Sequence, residues 1–479
     1  MQNSHHQLIR QHWSLVVVVL LFPLLLAGAI PIFPTFDDWT SLVSPSDEPL
    51  FSKERFLFYG YHWRPFDSVF GYILGRNPQL LFPTLNHICV VTGHVAGTFL
   101  LYKMMVKLRL GTMARNVATL FFFLSPGMLA TVLAVDGLNQ TYANVWVLAA
   151  AVTYLSLHGW KKYALWLSLT VVATFCKENA LMWFVITPLI AFAFDRIHLR
   201  QLRNDLALGL LFFLLYACAV IFSPSNIIIH PEYVPEIVKS VRDFFKFLLS
   251  TWFAVDFVAL LHAPSRDIIV AAATLLLSLP LLYFLFVKNL SLFSRKTLLL
   301  LVLCQLIAVA PHIFTVFSMM HTYAGLAIAA IIVGTVVEAT PYVRFFRFAF
   351  ALYLTAAVFV DLHLWHESYR SGLTGKTMAQ DIVKRSKTHP ERAFLIIIED
   401  DYPRLSSFCV VPSDALGWGR AVQYETNYEW PKELADTTLE RDNQYSRRAH
   451  DLAQQKLKAA ATDCVWIIDR QDVEIIPSD

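Results

Sequence analysis

Charge is what this sequence has least of. Only 16% of its 479 residues are Asp, Glu, Lys or Arg, a scarcity that excludes an ordinary soluble enzyme of this length. The formal net charge is just +3, with the basic residues dispersed among apolar runs, which excludes a nucleic-acid-binding surface. The six cysteines form no C-x-x-C pair, so there is no zinc or redox motif. Cys89, Cys176, Cys218 and Cys304 fall inside apolar runs, where a thiol serves as a small hydrophobe. Cys409 and Cys464 lie in a polar tail and leave room for a disulfide if that tail faces an oxidising compartment. The chain has no internal repeat and no low-complexity linker. Its first apolar run, Trp13 to Phe33, exceeds a signal-peptide core and lacks a small-x-small cleavage site, so it reads as a retained span.

Apolar residues are abundant instead: 56% of the chain, with a mean hydropathy of +0.51. A helix needs about 20 apolar residues to cross about 30 Å of hydrocarbon. Stretches near 13–35, 79–101, 115–134, 140–158, 163–177, 179–194, 205–222, 268–287, 297–315, 322–340 and 346–363 meet that need, giving about eleven transmembrane helices. The fold class is therefore a mainly α, polytopic membrane protein with a small C-terminal α/β soluble domain.

Lys and Arg gather in alternate loops: Lys103, Lys107, Arg109 and Arg115; Lys161 and Lys162; Arg196, Arg200 and Arg203; Lys288, Arg295 and Lys296; Arg344 and Arg347. The short turns near 136 and 318 carry none, so the positive-inside rule makes the N-terminus cytoplasmic. That parity requires 236–262 not to cross. Lys239, Arg242, Asp243 and Lys246 form one stripe of a helix whose other side shows Val238, Val241, Phe245 and Leu248, as in an element lying along the outer surface. The run from Leu248 to Leu261 is too short to span and holds Asp256, the pattern of a re-entrant or interfacial piece. In the loop 36–78, Val69, Phe70, Ile73 and Leu74 predict a short amphipathic helix on the membrane face. From 366 to 479 the chain turns polar, with strand-like runs Phe394 to Ile398 and Cys464 to Ile468 and a helical stretch near 434–460.

Ionisable residues at membrane depth are functional candidates, and here they gather at outer ends. Asp37 and Asp38 follow span one; His62, Arg64 and Asp67 share its loop; His87 and His94 lie in span two. Asp136 and Gln140 mark the next outer turn, Lys177 and Glu178 another, and His312, His321 and Tyr323 the last. Acids beside cations suit the activation of a hydroxyl against an anionic phosphate leaving group. The plainer readings are a solvated cap for the Asp pair, interfacial snorkelling for Lys177, packed histidines for His87 and His94, and interfacial anchors for His312, His321 and Tyr323.

Phe36-Asp37-Asp38-Trp39 after span one, Trp63-Arg64-Pro65-Phe66, Asn86-His87 with His94, and Lys177-Glu178-Asn179 together resemble the GT-C superfamily of polytopic glycosyltransferases. The likeness is to its protein O-mannosyltransferase-like and tetratricopeptide-containing O-mannosyltransferase branches, and it covers roughly residues 10–200. It implies residues 1–365 as the catalytic membrane domain and 366–479 as an extracytoplasmic domain. It implies Asp37 or Asp38 as the base and Arg64 and Lys177 as ligands of the donor phosphate, with His62, His94, His321 and Tyr323 in the same donor region. Asp38 and Glu178 would orient the acceptor or hold a divalent cation, though their spacing specifies no metal.

The donor implied is a sugar on a polyprenyl or dolichyl phosphate, and the acceptor a hydroxyl on protein or glycan, with the lipid bilayer as a third partner and no nucleic acid. The expected location is a bacterial cytoplasmic (inner) membrane. The chain departs from the family at His321-Thr322-Tyr323, where an Arg-Tyr-Leu-like motif is common, and it has neither tetratricopeptide repeats nor a sugar-binding trefoil. Trp418, Tyr424, Tyr428 and Trp430 in the tail are either sugar-stacking or core residues. A lipid-linked oligosaccharide ligase or polymerase is the nearest alternative. A transporter or flippase would call for inverted repeats and broken helix pairs.

Cysteine accessibility labelling tests this topology. The 102–115 loop should react from the cytoplasmic side, and the 36–78 loop and the tail from the outside. A tail labelled only from the cytoplasm would put a crossing through 236–262.

Overall fold

The computed structural model describes residues 11–35, 38–39, 64–221, 237–255, 265–289, 291, 295–314, 319–385, 390–399, 416, 420–427, 433–469 and 472–478. Asp37, His62, Asp256, Cys409, Trp418, Tyr428 and Trp430 fall outside them, as does the side chain of Asp67.

The chain opens with α1 (Trp13–Ala29) and, after the first loop, α2 (Pro65–Arg76), which starts on a proline suited to the first helical turn. There follow α3 (Thr84–Leu108), α4 (Thr112–Leu124), α5 (Pro126–Val132), α6 (Leu138–Ser156), α7 (Gly159–Cys176) and α8 (Trp183–Ala193). The bundle continues with α9 (Leu199–Ile221), α10 (Ile237–Trp252), α11 (Ser265–Leu282), α12 (Lys296–Val309) and α13 (Tyr323–Ala339). It ends in α14 (Val343–Arg385), 43 residues long.

All the expected spans are helical, but fewer stand alone as crossings. Among the described residues, five helices are long and apolar enough to cross a membrane, and six if α4 and α5, bent by 49° at Ser125, count as one. Three more apolar helices are shorter: Trp13–Ala29, Glu178–Ala193 and Lys296–His312. Polar residues cut into the rest: α6 begins on Asn139 and Gln140, and α8 is preceded by Lys177 and Glu178.

The bundle has a basic end and an opposite end that carries the candidate site. At the basic end, Asp205 accepts bonds from the hydroxyls of Tyr154 and Tyr163 and the ammonium of Lys162, binding α6, α7 and α9 together. The Lys162 ammonium also lies 3.6 Å from the Tyr154 ring centroid. Buried to 6% and 1% exposure, this pair meets the requirement that a charge out of water be both paired and hydrogen-bonded.

α10 inverts the expected arrangement of its faces. Asp243, Ser240, Phe247 and Ser250 are buried while Val241, Phe245 and Leu249 are exposed, so part of the polar stripe packs inward and the apolar side is left for lipid. Asp243 has Lys246 beside it at 3.1 Å, a partner that lets a carboxylate sit inside the bundle. The C-terminal end of α10 penetrates: Trp252 packs on Phe121 and Phe286, and the amide of Ala254 donates to Ser278 in mid-α11 at 3.1 Å. The element dips into the bundle and does not lie flat along its surface.

Beyond the bundle a four-stranded sheet forms from β1 (Arg392–Glu399), β2 (Glu433–Glu440), β3 (Cys464–Asp469) and β4 (Asp472–Pro477), in the order β2-β1-β3-β4. β1 pairs in parallel with both β2 and β3, and β4 closes one edge antiparallel. Helix α15 (Arg420–Glu425) and helix α16 (Tyr445–Lys458) complete the domain. The helical stretch expected near 434–460 is thus a strand followed by a helix. β2 is a polar edge strand, ELADTTLE, and without a dry face it shows no apolar alternation to read. Cys464 is a buried free thiol, its pKa pushed up to about 12 by burial, and its expected partner Cys409 lies outside the described residues.

Small residues set helix spacing in such bundles. At Gly209 of α9 an added Cβ would meet the carbonyl oxygen of Phe184 at 2.5 Å, a backbone atom with little room to yield. Gly209→Val should therefore destabilise by about 1 to 3 kcal/mol, as overpacking does. The readout is the thermal midpoint of the detergent-solubilised protein. Leu211→Val, at a half-exposed position on the same helix, should leave it unchanged.

Candidate functional site

The site end begins where α1 runs out. Asp38 is buried, and its two carboxylate oxygens accept backbone N–H bonds from Thr35 (3.2 Å) and Asp136 (3.0 Å). The first bond closes a local turn. The second ties the loop after α1 to the turn between α5 and α6, so the solvated-cap reading does not hold for Asp38. Burial raises its carboxyl to about 7, with Asp136 adding to the rise and the backbone bonds opposing it. His87 sits beneath, donating from Nε2 to the carbonyl of Ile32 at 3.0 Å.

A second group assembles around α2 and the α7–α8 break. Arg64 precedes α2, and its guanidinium grips Glu178 with two bonds of 2.7 Å, Nε to Oε2 and Nη2 to Oε1. This bidentate fork is the strong form of an arginine–carboxylate contact. Sequence patterns give Arg64 and Glu178 separate duties, one toward phosphate and one toward the acceptor; the structure makes them a pair. Lys177 is buried beside Glu178. Both exert charge on His312 and His321, whose rings stack at 4.8 Å with Phe247 of α10 against them.

His94 and Tyr323 form a third, deeper contact. The Tyr323 hydroxyl lies 2.9 Å from His94 Nδ1, and His94 Nε2 lies 3.4 Å from the carbonyl of Phe123. The second contact makes Nε2 the protonated nitrogen, so the tyrosine donates to Nδ1. His94 also stacks on Phe123. It is thus packed and hydrogen-bonded at both ring nitrogens. Beside Lys177 and Glu178 a cavity of about 20 Å³ is lined by Gln140, Asn144, Asn179 and Trp183 among others, room for one water.

The groups are connected. Thr131 of α5 donates to the carbonyl of Met320, next to His321, and Ser250 of α10 lies 2.9 Å from the hydroxyl of Thr322. Asp38 and His321 therefore stand on segments tied through α5. The charge acting most strongly on Asp38 is Asp136, whereas Glu178 is held by Arg64. Among the described residues no group of three His, Cys, Asp or Glu is arranged to hold a metal ion.

No protein-family model matches the chain. No curated protein matches it. Among solved structures it is similar to the archaeal oligosaccharyltransferase AglB from Archaeoglobus fulgidus, in complex with an inhibitory peptide and a dolichol-phosphate. The identity is 13% over 96% of this chain and 70% of that one, with a TM-score of 0.47.

Asp38 makes the fold pH-sensitive. Between 3.8 and about 7 the folded chain keeps a proton that the unfolded chain has released, so the stability contribution falls as pH rises through that window. Relative to Asp38→Asn, the wild type should lose thermal stability from pH 3.8 to about 7 and then level off. Parallel pH dependences in the two proteins would remove Asp38 as the cause.

Proposed function

We propose that the chain is a membrane glycosyltransferase that moves a sugar from a polyprenyl-phosphate-linked donor to a hydroxyl on a protein or glycan. One observation carries this reading: the Arg64–Glu178 fork, with Lys177 beside it, lies within electrostatic reach of the stacked His312 and His321, on segments tied through α5 to Asp38. Two cations, Arg64 and Lys177, gathered at one end of the bundle suit the recognition of a lipid phosphate. Glu178 presets the guanidinium plane in the absence of ligand, and pre-orientation lowers the cost of binding.

In the proposed reaction the acceptor oxygen forms a bond to the anomeric carbon as the bond from that carbon to the phosphate oxygen breaks. The acceptor proton passes to Asp37, and the phosphate leaves against Lys177 and Arg64. Asp38 is assigned to holding the loop, because both its oxygens accept backbone bonds. Acceptor activation is assigned to carboxylates alone in this scheme. The catalytic side faces outward, with the basic end in the cytoplasm.

Arg64→Ala and Lys177→Ala should each weaken use of the donor, since a charge-assisted bond to phosphate contributes about 1.5 to 3 kcal/mol. Asp37→Asn should lower turnover about 100- to 10,000-fold while donor binding persists, because Asn keeps the shape and cannot take a proton. Purified protein with polyprenyl-phosphate mannose as the first donor checks both. Wild-type donor affinity in the two cation variants would sink their role as phosphate ligands, and an active Asp37→Asn would sink the base.

A further inference from the structure

The described tail residues are not suspended clear of the membrane domain. Trp39 is fully buried in a box of rings: Phe33 at 5.4 Å, Phe82 at 5.6 Å, and Tyr424 of α15 at 5.7 Å between centroids. Tyr424 also packs on Phe33 and Phe82, and its hydroxyl donates to the carbonyl of Phe82 at 2.9 Å. Beside it on the same helix, Arg420 donates from Nη1 to the carbonyl of Trp39 at 2.6 Å. Gln79 in turn donates to the carbonyl of Tyr424. From α14, Gly372 lets the helix backbone approach Phe33 so closely that a Cβ would stand 2.5 Å from its carbonyl oxygen. Trp39 is thus enclosed in part by the domain after the bundle, and Arg420 is anchored on the residue next to Asp38.

We propose that α15 is a clasp and that Arg420 and Tyr424 are positioning residues, holding the Asp38–Trp39 segment in its working geometry. The proposal rests on the transferase reading for its chemistry and goes beyond it in giving the C-terminal domain a task. A reacting group must be held within about 0.5 Å of its productive position. Asp38 reaches the backbone amide of Asp136 only while Trp39 stays seated, and two of the contacts that seat Trp39 come from α15. Without them the loop would retain the Thr35 turn and lose its fixed relation to the rest of the site.

The test uses the full chain in detergent, with hydrogen exchange of the peptides spanning 33–39 and 132–140 and with transfer from polyprenyl-phosphate mannose. Arg420→Ala and Tyr424→Ala should speed exchange in both peptides. They should also lower kcat about 10- to 100-fold, the scale of a 1 Å misplacement, with the donor KM held. Arg420→Lys should restore part of kcat, and Tyr424→Phe, which loses only the bond to Phe82, should fall between wild type and Tyr424→Ala. Arg447→Ala, at an exposed position on α16, should behave as wild type. Unchanged exchange in both alanine variants would overturn the clasp, as would faster exchange with kcat intact. Faster exchange in a protein whose wild type transfers no sugar would uphold the contact and count against the transferase reading instead.

Discussion

Burial of one indole organises the site end of this molecule. Trp39 directly follows two aspartates, and it can be dry only if apolar surface is brought to it from elsewhere in the chain. One continuous cluster does so: Phe33, Leu74, Phe82 and Val135 from the bundle end, Met378, Ala379 and Ile382 from α14, and Ala421, Val422, Leu395 and Trp466 from the terminal domain. One face of the sheet and the packing around Trp39 therefore share a core, while the other face packs Ile396, Ile398, Val465 and Ile467 against Ala449 and Ala453 of α16. Removing the Trp39 side chain would uncover part of the shared face, and unfolding the sheet would release the Asp38–Trp39 segment.

The two ends of the bundle solve opposite electrostatic problems. At the basic end Lys162 and Asp205 neutralise each other, with Tyr154 and Tyr163 supplying further donors; such a group has little capacity left for a ligand. At the other end Arg64 forks onto Glu178 with Lys177 buried beside it, and backbone amides meet the carboxyl of Asp38. Charges locked together by several donors fasten helices, whereas a two-bond fork spanning separate segments can be turned toward a ligand. That contrast, more than the number of polar residues, distinguishes scaffold from candidate site.

Local patterns in the sequence were sufficient for the bundle helices, for Arg64, Lys177 and Glu178 lying at one end of the bundle, and for β1 and β3. Their signals are apolar runs and short charged motifs, which need no distant partner. The missing parts depend on contacts across long separations. Arg64 and Glu178 are 114 positions apart and Trp39 and Arg420 are 381 apart, so neither pairing leaves a trace in a short stretch of sequence. Tyr424 read equally well as a sugar platform or as core; its three ring neighbours make it core. Asp243 read as surface because charge suggests water, yet Lys246 supplies what water would have supplied. The polarity change near 366 marks the end of the apolar run and not of the helix, since hydropathy reports the solvent around a helix and says nothing of where its hydrogen bonds stop.

The unbroken helix across that polarity change has a mechanical meaning. At about 1.5 Å per residue α14 is about 65 Å long, roughly twice the hydrocarbon thickness, and it enters the shared cluster near Met378. A flexible tether would let the sheet domain drift without penalty. A continuous helix instead couples height to azimuth: each inserted residue lifts the sheet domain by about 1.5 Å and turns it by about 100°. Even a full extra turn, which restores the bearing, would raise α15 by about 5 Å and carry Tyr424 off the rings it covers. The connection between the membrane part and the sheet domain is thus phased like a gear on a shaft, and its length belongs to the site as much as any side chain does.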